Sequence, residues 1–111
     1  MGKRKIEKIK EKIKKFKENT SKKFFIEKVI IFGSAARGEM KKDSDIDIIL
    51  VSKKYGRKDV FKIVPKLYEE WHEKTKIDYP VDILLFNKEE FDKLRKEVSI
   101  VSEALREGIE I

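Results

Sequence analysis

The sequence predicts one small domain of the α/β or α+β class, a mixed sheet of about three core strands flanked by helices. Three observations predict this class. The chain has 111 residues, a length that supports a single hydrophobic core. Its apolar residues form three short runs rich in β-branched side chains and several stretches with helical periodicity. These runs and stretches alternate along the chain, as in a sheet covered by helices. We therefore interpret residues 1–111 as one domain.

The first two elements are a basic helix and a buried strand. Residues 3–19 predict an amphipathic helix, which we expect to end at residues 19–21. Its apolar positions recur at spacings of three and four: Ile6, Ile9, Ile13 and Phe16. We expect this stripe to pack on the domain itself. Residues 24–32 form a β-rich, mainly apolar run that stops at Gly33, which is typical of a buried strand.

A short helix, a second strand and a long helix follow. Residues 34–37 can begin a short helix that Gly38 would end. Residues 45–51 alternate and then become continuously apolar, which predicts the second strand. Residues 58–76 place their apolar side chains on one face and predict the second long helix. Pro65 lies inside it, so we expect a kink or a fresh start there.

The last third of the chain predicts a strand, two helices and a tail. Residues 81–86 form the third apolar run. Asn87 is a favourable N-cap for a helix that runs to about Glu97. Residues 99–107 have the pattern of a further helical turn or two. The tail, residues 109–111, is expected to be a short edge strand or a frayed end.

The residue types restrict the chemistry. The chain has no cysteine and one histidine, His72. Thiol catalysis, disulfides and cysteine or histidine metal sites are therefore not expected. Any metal would be held by oxygen ligands, which favours Mg²⁺, Mn²⁺ or Ca²⁺.

The charge and hydropathy indicate a cytoplasmic protein with an anionic partner. The net charge is +7, which favours a nucleotide, a nucleic acid or an acidic protein as partner. The Lys and Glu enrichment is also typical of heat-adapted proteins, and this alternative is compatible with the first. No apolar run reaches the roughly 18 residues that a membrane span requires. We see no signal peptide and expect no membrane partner.

Three aspartates are candidate metal ligands. Asp45 and Asp47 are two residues apart on a predicted strand, so both carboxylates point to one face. Such a pair can bind Mg²⁺, because the cation relieves the repulsion between the two charges. Asp82 is the second residue of the third strand and faces either solvent or a site. If that strand lies beside the first pair, three carboxylates converge, as a two-metal phosphoryl-transfer site requires.

A glycine–serine turn is the candidate phosphate site. Gly33 lets the backbone approach a phosphate, and the Ser34 hydroxyl can donate to it. The alternative is an ordinary strand-to-helix turn with a serine cap. Arg37 lies one helical turn later, so its guanidinium can reach the same anion. Its alternative role is an ion pair with Glu39 or Asp43.

Together these residues resemble the nucleotidyltransferase signature of the DNA polymerase β superfamily. In that signature a Gly-Ser is followed by ten residues and then Asp-x-Asp; here these are Gly33-Ser34, residues 35–44 and Asp45-Ile46-Asp47. The short chain is similar to the minimal nucleotidyltransferase branch, which includes the antitoxins paired with HEPN-domain toxins. The resemblance covers residues 24–86 and excludes the first helix.

The resemblance implies a polymerase-β-like fold and a role for each site residue. Gly33 and Ser34 would hold the triphosphate of ATP, and Asp45 and Asp47 would bind two Mg²⁺ ions. Asp82 matches the third family aspartate by position rather than by motif; it would bind one metal and activate the attacking hydroxyl. The nucleotide-binding role of Arg37 is inferred from its reach alone.

The resulting hypothesis is an adenylyltransferase that moves AMP to a hydroxyl group of a macromolecule. By resemblance, the leading acceptor is a tyrosine of a HEPN-type RNase toxin, so that the protein acts as an antitoxin. Two alternatives stay open. The first is an antitoxin that masks its toxin without catalysis. The second is an RNA-modifying or RNA-binding nucleotidyltransferase, which the basic first helix suggests.

Overall fold

A four-stranded mixed sheet forms the centre of the molecule. The computed structural model describes residues 2–41 and 44–111, with side chains from residue 7 onward. The strands are β1 (Ile26–Phe32), β2 (Ile46–Ser52), β3 (Val81–Asn87) and β4 (Ile109–Glu110), in the order β3-β2-β1-β4. β2 is parallel to β3 and antiparallel to β1, and β4 is antiparallel to β1. The predicted class is confirmed, the three core strands lie within two residues of their predicted bounds, and the tail is an edge strand.

Helices cover the sheet on both faces. One face packs against α1 (Gly2–Phe24) and α2 (Val60–Glu69). The other packs against α3 (Lys88–Leu94) and α4 (Ile100–Glu107). Side chains alternate along β2 between the two clusters, with Ile48 in the first and Ile49 in the second. This alternation follows from the pleat of a strand and places every second residue of each strand on the same face.

Helix α1 is longer than predicted. It continues through residues 19–21, where the polar side chains led us to expect its end. The hydroxyl of Thr20 donates to the carbonyl of Phe16 at 2.8 Å, so this polar group is satisfied inside the helix. The helix ends at Phe24 because Phe25 adopts a left-handed conformation, with φ of 59°. Glycine or asparagine usually occupies such a position, so the sequence did not mark it.

The second long helix has three parts. A 3₁₀ turn (Arg57–Asp59) leads into α2, and a π-helix (Glu70–Lys74) follows it. Pro65 lies inside α2 without ending it, so the expected fresh start at the proline is wrong. Pro65 is exposed, and water can reach the carbonyl that its ring leaves without a partner. The change of helix type comes instead at Glu70.

The last two helices have serine and asparagine caps. The Asn87 side chain accepts a hydrogen bond from the N–H of Glu90 at 2.8 Å, and the Glu90 carboxylate accepts one from the N–H of Asn87. This confirms the predicted cap, although α3 ends at Leu94 rather than near Glu97. Ser99 caps α4 in the same way. Among the described helices, none has the length and apolar character needed to cross a membrane.

Candidate active site

The sheet register brings two of the three aspartates together. Asp47 of β2 and Asp82 of β3 are direct partners in the parallel ladder. Both lie on the sheet face of α3 and α4, because the residues on either side of Asp47 belong to the opposite cluster. Asp45 is two residues before Asp47, immediately ahead of β2. The three carboxylates therefore lie at one end of the sheet, where β2 and β3 begin.

The electrostatic environment of Asp47 fits a cation site. Asp47 is partly buried, whereas Asp45 and Asp82 are exposed. Burial raises the pKa of Asp47, and the charges of Asp82 and then Asp45 raise it further; Arg37 acts in the opposite direction. A group of carboxylates that repel one another gains from a divalent cation bound among them. Oxygen-only ligands of this kind suit Mg²⁺.

The three carboxylates lie near one another but do not form a complete metal-coordination site among the described residues. Within residues 2–41 and 44–111, no three acidic or histidine side chains are already arranged to hold a metal ion. Asp45 and Asp82 are exposed side chains, so rotation about their side-chain bonds is open to them. A bound cation would therefore be enclosed by movement of these two side chains around the fixed position of Asp47.

Gly33 fits this site because it has no side chain. Phe32 at the end of β1 pairs with Asp47, so Gly33 passes directly over the carboxylate. A Cβ at this position would lie 2.5 Å from the Asp47 Oδ2 atom. The φ of Gly33 is +71°, which a residue with a side chain rarely adopts. Gly33 is therefore required both by its backbone conformation and by its contact with Asp47.

The residues after Gly33 form one helical turn rather than the predicted short helix. Residues 34–37 make the turn, and Gly38, with φ of 72°, ends it as predicted. The N–H of Glu39 donates to the carbonyl of Ser34 at 2.9 Å, which closes the turn in the Schellman pattern. Ala35 is buried and anchors the turn to the core. Ser34 is thus held at the head of the turn, next to Gly33.

Arg37 is already paired with two carboxylates. Its guanidinium lies 3.1 Å from Glu39 and 2.9 Å from Glu107 of α4. The pair with Glu39 is one of the alternatives that the sequence suggested; Asp43, the other, lies outside the described residues. The contact with Glu107 was missed because the two residues are 70 positions apart. An anion that binds Arg37 would have to exchange for these glutamates.

A cleft of about 360 Å³ lies between the Gly33 turn and α4. Its lining includes Phe32, Gly33 and Arg37 on one side, and Ile100, Glu103 and Glu107 of α4 on the other. Phe32 packs in the same cluster as α4, so the cleft is on the sheet face that carries Asp47 and Asp82. The three aspartates do not line this cleft, and the sequence did not predict that α4 lies beside Gly33 and Arg37. The predicted edge strand after α4 was the available signal, because its pairing with β1 brings α4 beside the Gly33 turn.

Comparison with known proteins agrees with this geometry. The family model described as polymerase beta, nucleotidyltransferase, matches residues 7–108, and the chain belongs to this family. It is also similar to the crystal structure of a candidate nucleotidyltransferase from Sulfolobus solfataricus. The two share 28% identity with a TM-score of 0.56, over 83% of this chain and 78% of that one. No curated protein matches the chain in sequence.

Proposed function

We propose that the protein transfers AMP from ATP to a hydroxyl group of a macromolecular acceptor in a Mg²⁺-dependent reaction. The observation that supports this most is the direct pairing of Asp47 with Asp82, beside a glycine whose missing side chain leaves room for the Asp47 carboxylate. Family membership supports the general reaction class. ATP as donor, Mg²⁺ as metal and a macromolecular hydroxyl as acceptor are our proposals beyond the family assignment.

Each site residue has a role in this proposal. Gly33 and Ser34 hold the triphosphate, and Arg37 contacts it after leaving its glutamate partners. Asp45 and Asp47 would hold two Mg²⁺ ions, and Asp82 would be a further ligand to one of them. Bound Mg²⁺ would neutralise the charge that develops on the attacking and leaving oxygens.

The proposed step is an in-line substitution at the α-phosphorus of ATP. The acceptor oxygen forms a bond to this phosphorus while the bond to the bridging oxygen of pyrophosphate breaks. Pyrophosphate leaves with the electron pair, and the hydroxyl proton passes to the carboxylate of Asp82. Asp82 is exposed at the sheet end, so a hydroxyl on another macromolecule can reach it from solvent.

A tyrosine on a HEPN-type RNase toxin is the acceptor that we propose, which would make the protein an antitoxin. The open position of Asp82 suits an acceptor that brings its own surface to the site. The choice of a toxin tyrosine comes from the resemblance to the minimal nucleotidyltransferase branch. In this proposal, modification of the tyrosine would inactivate the toxin.

Transfer of labelled AMP tests the proposal. The wild type, incubated with Mg²⁺, α-labelled ATP and a co-expressed HEPN-type partner, should label that partner. The Asp47→Asn variant should lose at least about a hundredfold in rate, as when a charge-stabilising group is removed from an active site. Asp92→Asn is the matched control, because the Asp92 carboxylate pairs with Arg95 at the end of α3 and its loss should leave the rate unchanged.

Two results would count against the enzyme. The first is the absence of labelling by wild type of any partner to which it binds, under conditions in which ATP also binds. The second is a double variant, Asp45→Asn with Asp47→Asn, that still neutralises the toxin in cells. The second result would indicate an antitoxin that masks its partner without chemistry.

A further inference from the structure

The positive charge of the chain is concentrated in one helix. Residues 1–24 contain 11 Lys and Arg and three Glu, a net charge of +8. The remaining 87 residues contain 17 basic and 18 acidic residues, a net charge of −1. The sheet and the other helices are therefore close to neutral. The overall charge of +7 is a property of α1 and does not surround the candidate active site.

Most of this charge is not neutralised within the protein. Among the eight lysines of α1 from Lys8 onward, Lys23 alone has a carboxylate within ion-pair distance in the described part of the chain, Glu70 at 3.0 Å. Lys12 and Lys17 donate to backbone carbonyls. The other five have neither kind of partner among the described residues: Lys8, Lys10, Lys14, Lys15 and Lys22. A heat-adapted surface would instead pair its lysines with glutamates in networks.

The basic side chains are available because the apolar stripe of α1 is used inside the domain. Ile13 and Phe16 are fully buried and Ile9 is 8% exposed, which confirms that these three residues of the stripe pack on the domain itself. The side chain of Ile6 lies outside the described residues. Lys8, Lys12 and Lys15 are exposed beside it. We call these three side chains the lysine face of α1.

The lysine face lies at the same end of the sheet as the aspartates. Lys8 and Lys12 line a small cleft of about 180 Å³ together with Ile77 and Tyr79. The chain continues from Tyr79 directly into β3, whose second residue is Asp82. A partner bound to the lysine face would therefore contact the protein at the end of the sheet where β3 begins, on the sheet face opposite to that of Asp82.

The residue types favour a protein over a nucleic acid as the partner. All basic residues between positions 7 and 24 are lysines, whereas arginine is preferred for gripping phosphates and stacking on bases. Phe16 is fully buried and Phe24 is partly buried, so neither offers a free ring on which bases can stack. Mobile point charges suit the separated carboxylates of a protein surface.

We propose that the lysine face of α1 is the docking surface for an acidic surface of a protein partner. The inference rests on the proposed function only in taking this partner to be the acceptor. Electrostatic docking at this position would increase the rate of encounter and hold the acceptor at the end of the sheet that carries Asp82. The surface itself is defined by charge and position and does not depend on catalysis.

Binding to a model acidic polypeptide tests the surface. Fluorescein-labelled poly-L-glutamate would be titrated with the full-length wild-type protein at low and at physiological salt. Binding would be followed by fluorescence anisotropy. The triple variant K8Q/K12Q/K15Q should bind about tenfold more weakly than wild type. The control K58Q/K62Q/K66Q removes the same charge from exposed positions around α2 and should change the affinity by less than about twofold. Glutamine keeps a helix propensity close to that of lysine, and circular dichroism would check the fold of both variants.

Each contrary result has a distinct meaning. Equal weakening of both triple variants, or no binding of poly-L-glutamate by wild type, would overturn the docking surface. Tighter binding of a single-stranded poly(U) RNA of equal charge, lost in K8Q/K12Q/K15Q alone, would overturn the choice of a protein partner. Asp47→Asn should bind poly-L-glutamate like wild type. If wild type binds poly-L-glutamate but transfers no AMP to a bound partner, the proposed function is removed and the docking surface is kept.

Discussion

The two faces of the sheet differ in how far their coverage extends along the strands. On the face of α1 and α2, the inward residues of β2 and β3 are buried from the first position onward: Ile46, Ile48, Leu50, Val81, Ile83 and Leu85. On the face of α3 and α4, Ile49 and Val51 are buried, but Asp47 is only partly buried and Asp82 is exposed. On this second face, the helices therefore leave the first residues of β2 and β3 uncovered.

Because of this difference, neighbouring residues of β2 serve different purposes: some pack in the core and one belongs to the candidate active site. Residues of β2 that point to α1 and α2 contribute to the larger core, and Asp47, between two of them, points to the uncovered site. A carboxylate costs little in stability where helices leave it open to water. Substitutions on one face should therefore change folding, and substitutions on the other should change binding and catalysis.

The largest effect is expected from Trp71→Ala on the covered face. Trp71 is fully buried, packs edge-to-face on Phe16 at 5.2 Å between ring centroids, and donates to the Tyr79 carbonyl. Its removal should lower the free energy of unfolding by about 3–5 kcal/mol, measured by urea denaturation. Leu84→Ala on the partly covered face should cost about half as much or less. Equal losses would contradict the difference between the faces.

Gly33→Ala should affect both stability and the site. The positive φ costs about 1–2 kcal/mol for a residue with a side chain, and the new Cβ would displace the Asp47 carboxylate. Urea denaturation and Mg²⁺-dependent ATP binding by calorimetry would measure the two effects. Gly38→Ala is the control, because Gly38 has nearly the same φ and lies at the far end of the turn. If both variants bind ATP equally well, Gly33 does not position Asp47.

Asp47→Asn should stabilise the metal-free protein at neutral pH. The pKa of Asp47 is raised in the folded state, so the folded chain holds this proton more tightly than the unfolded chain. Stability is then lost as pH rises from the unfolded pKa through the folded one, and the loss persists above it. The variant should gain about 0.2–1 kcal/mol at pH 7, the usual cost of like charges on neighbouring strands.

Urea denaturation with EDTA across acidic and neutral pH measures this gain. The difference between variant and wild type should disappear below the unfolded pKa of aspartate, near 4, because both side chains are then uncharged. A variant that is less stable than wild type at pH 7 would show that the Asp47 carboxylate stabilises the fold.

The smallest effect is expected from Glu107→Gln. The ion pair of Glu107 with Arg37 is exposed, so its loss should change stability by no more than about 1 kcal/mol. Release of Arg37 should tighten ATP binding by about two- to threefold, measured by calorimetry. Glu103→Gln is the control, because Glu103 pairs with Arg106 in the same helix. Weaker ATP binding by Glu107→Gln would show that Arg37 needs Glu107 for its position.

The sequence by itself determined the strands, the helix caps and the chemical character of the site. The apolar runs located β1, β2 and β3 because a strand's burial pattern is a local property. Asn87 marked the start of α3 because a capping box involves residues only three apart. The spacing from Gly33 to Asp47 likewise indicated the family, which the match over residues 7–108 confirms.

Only the tertiary structure decided which of these residues meet. The pairing of Asp47 with Asp82 depends on the order of strands in the sheet, and the contact of Arg37 with Glu107 depends on β4 bringing α4 beside the Gly33 turn. The end of α1 depends on Phe25, whose left-handed conformation is tolerated because the following strand is held in the sheet. These contacts join distant parts of the chain, and their free energy comes from packing, which no local pattern of residues records.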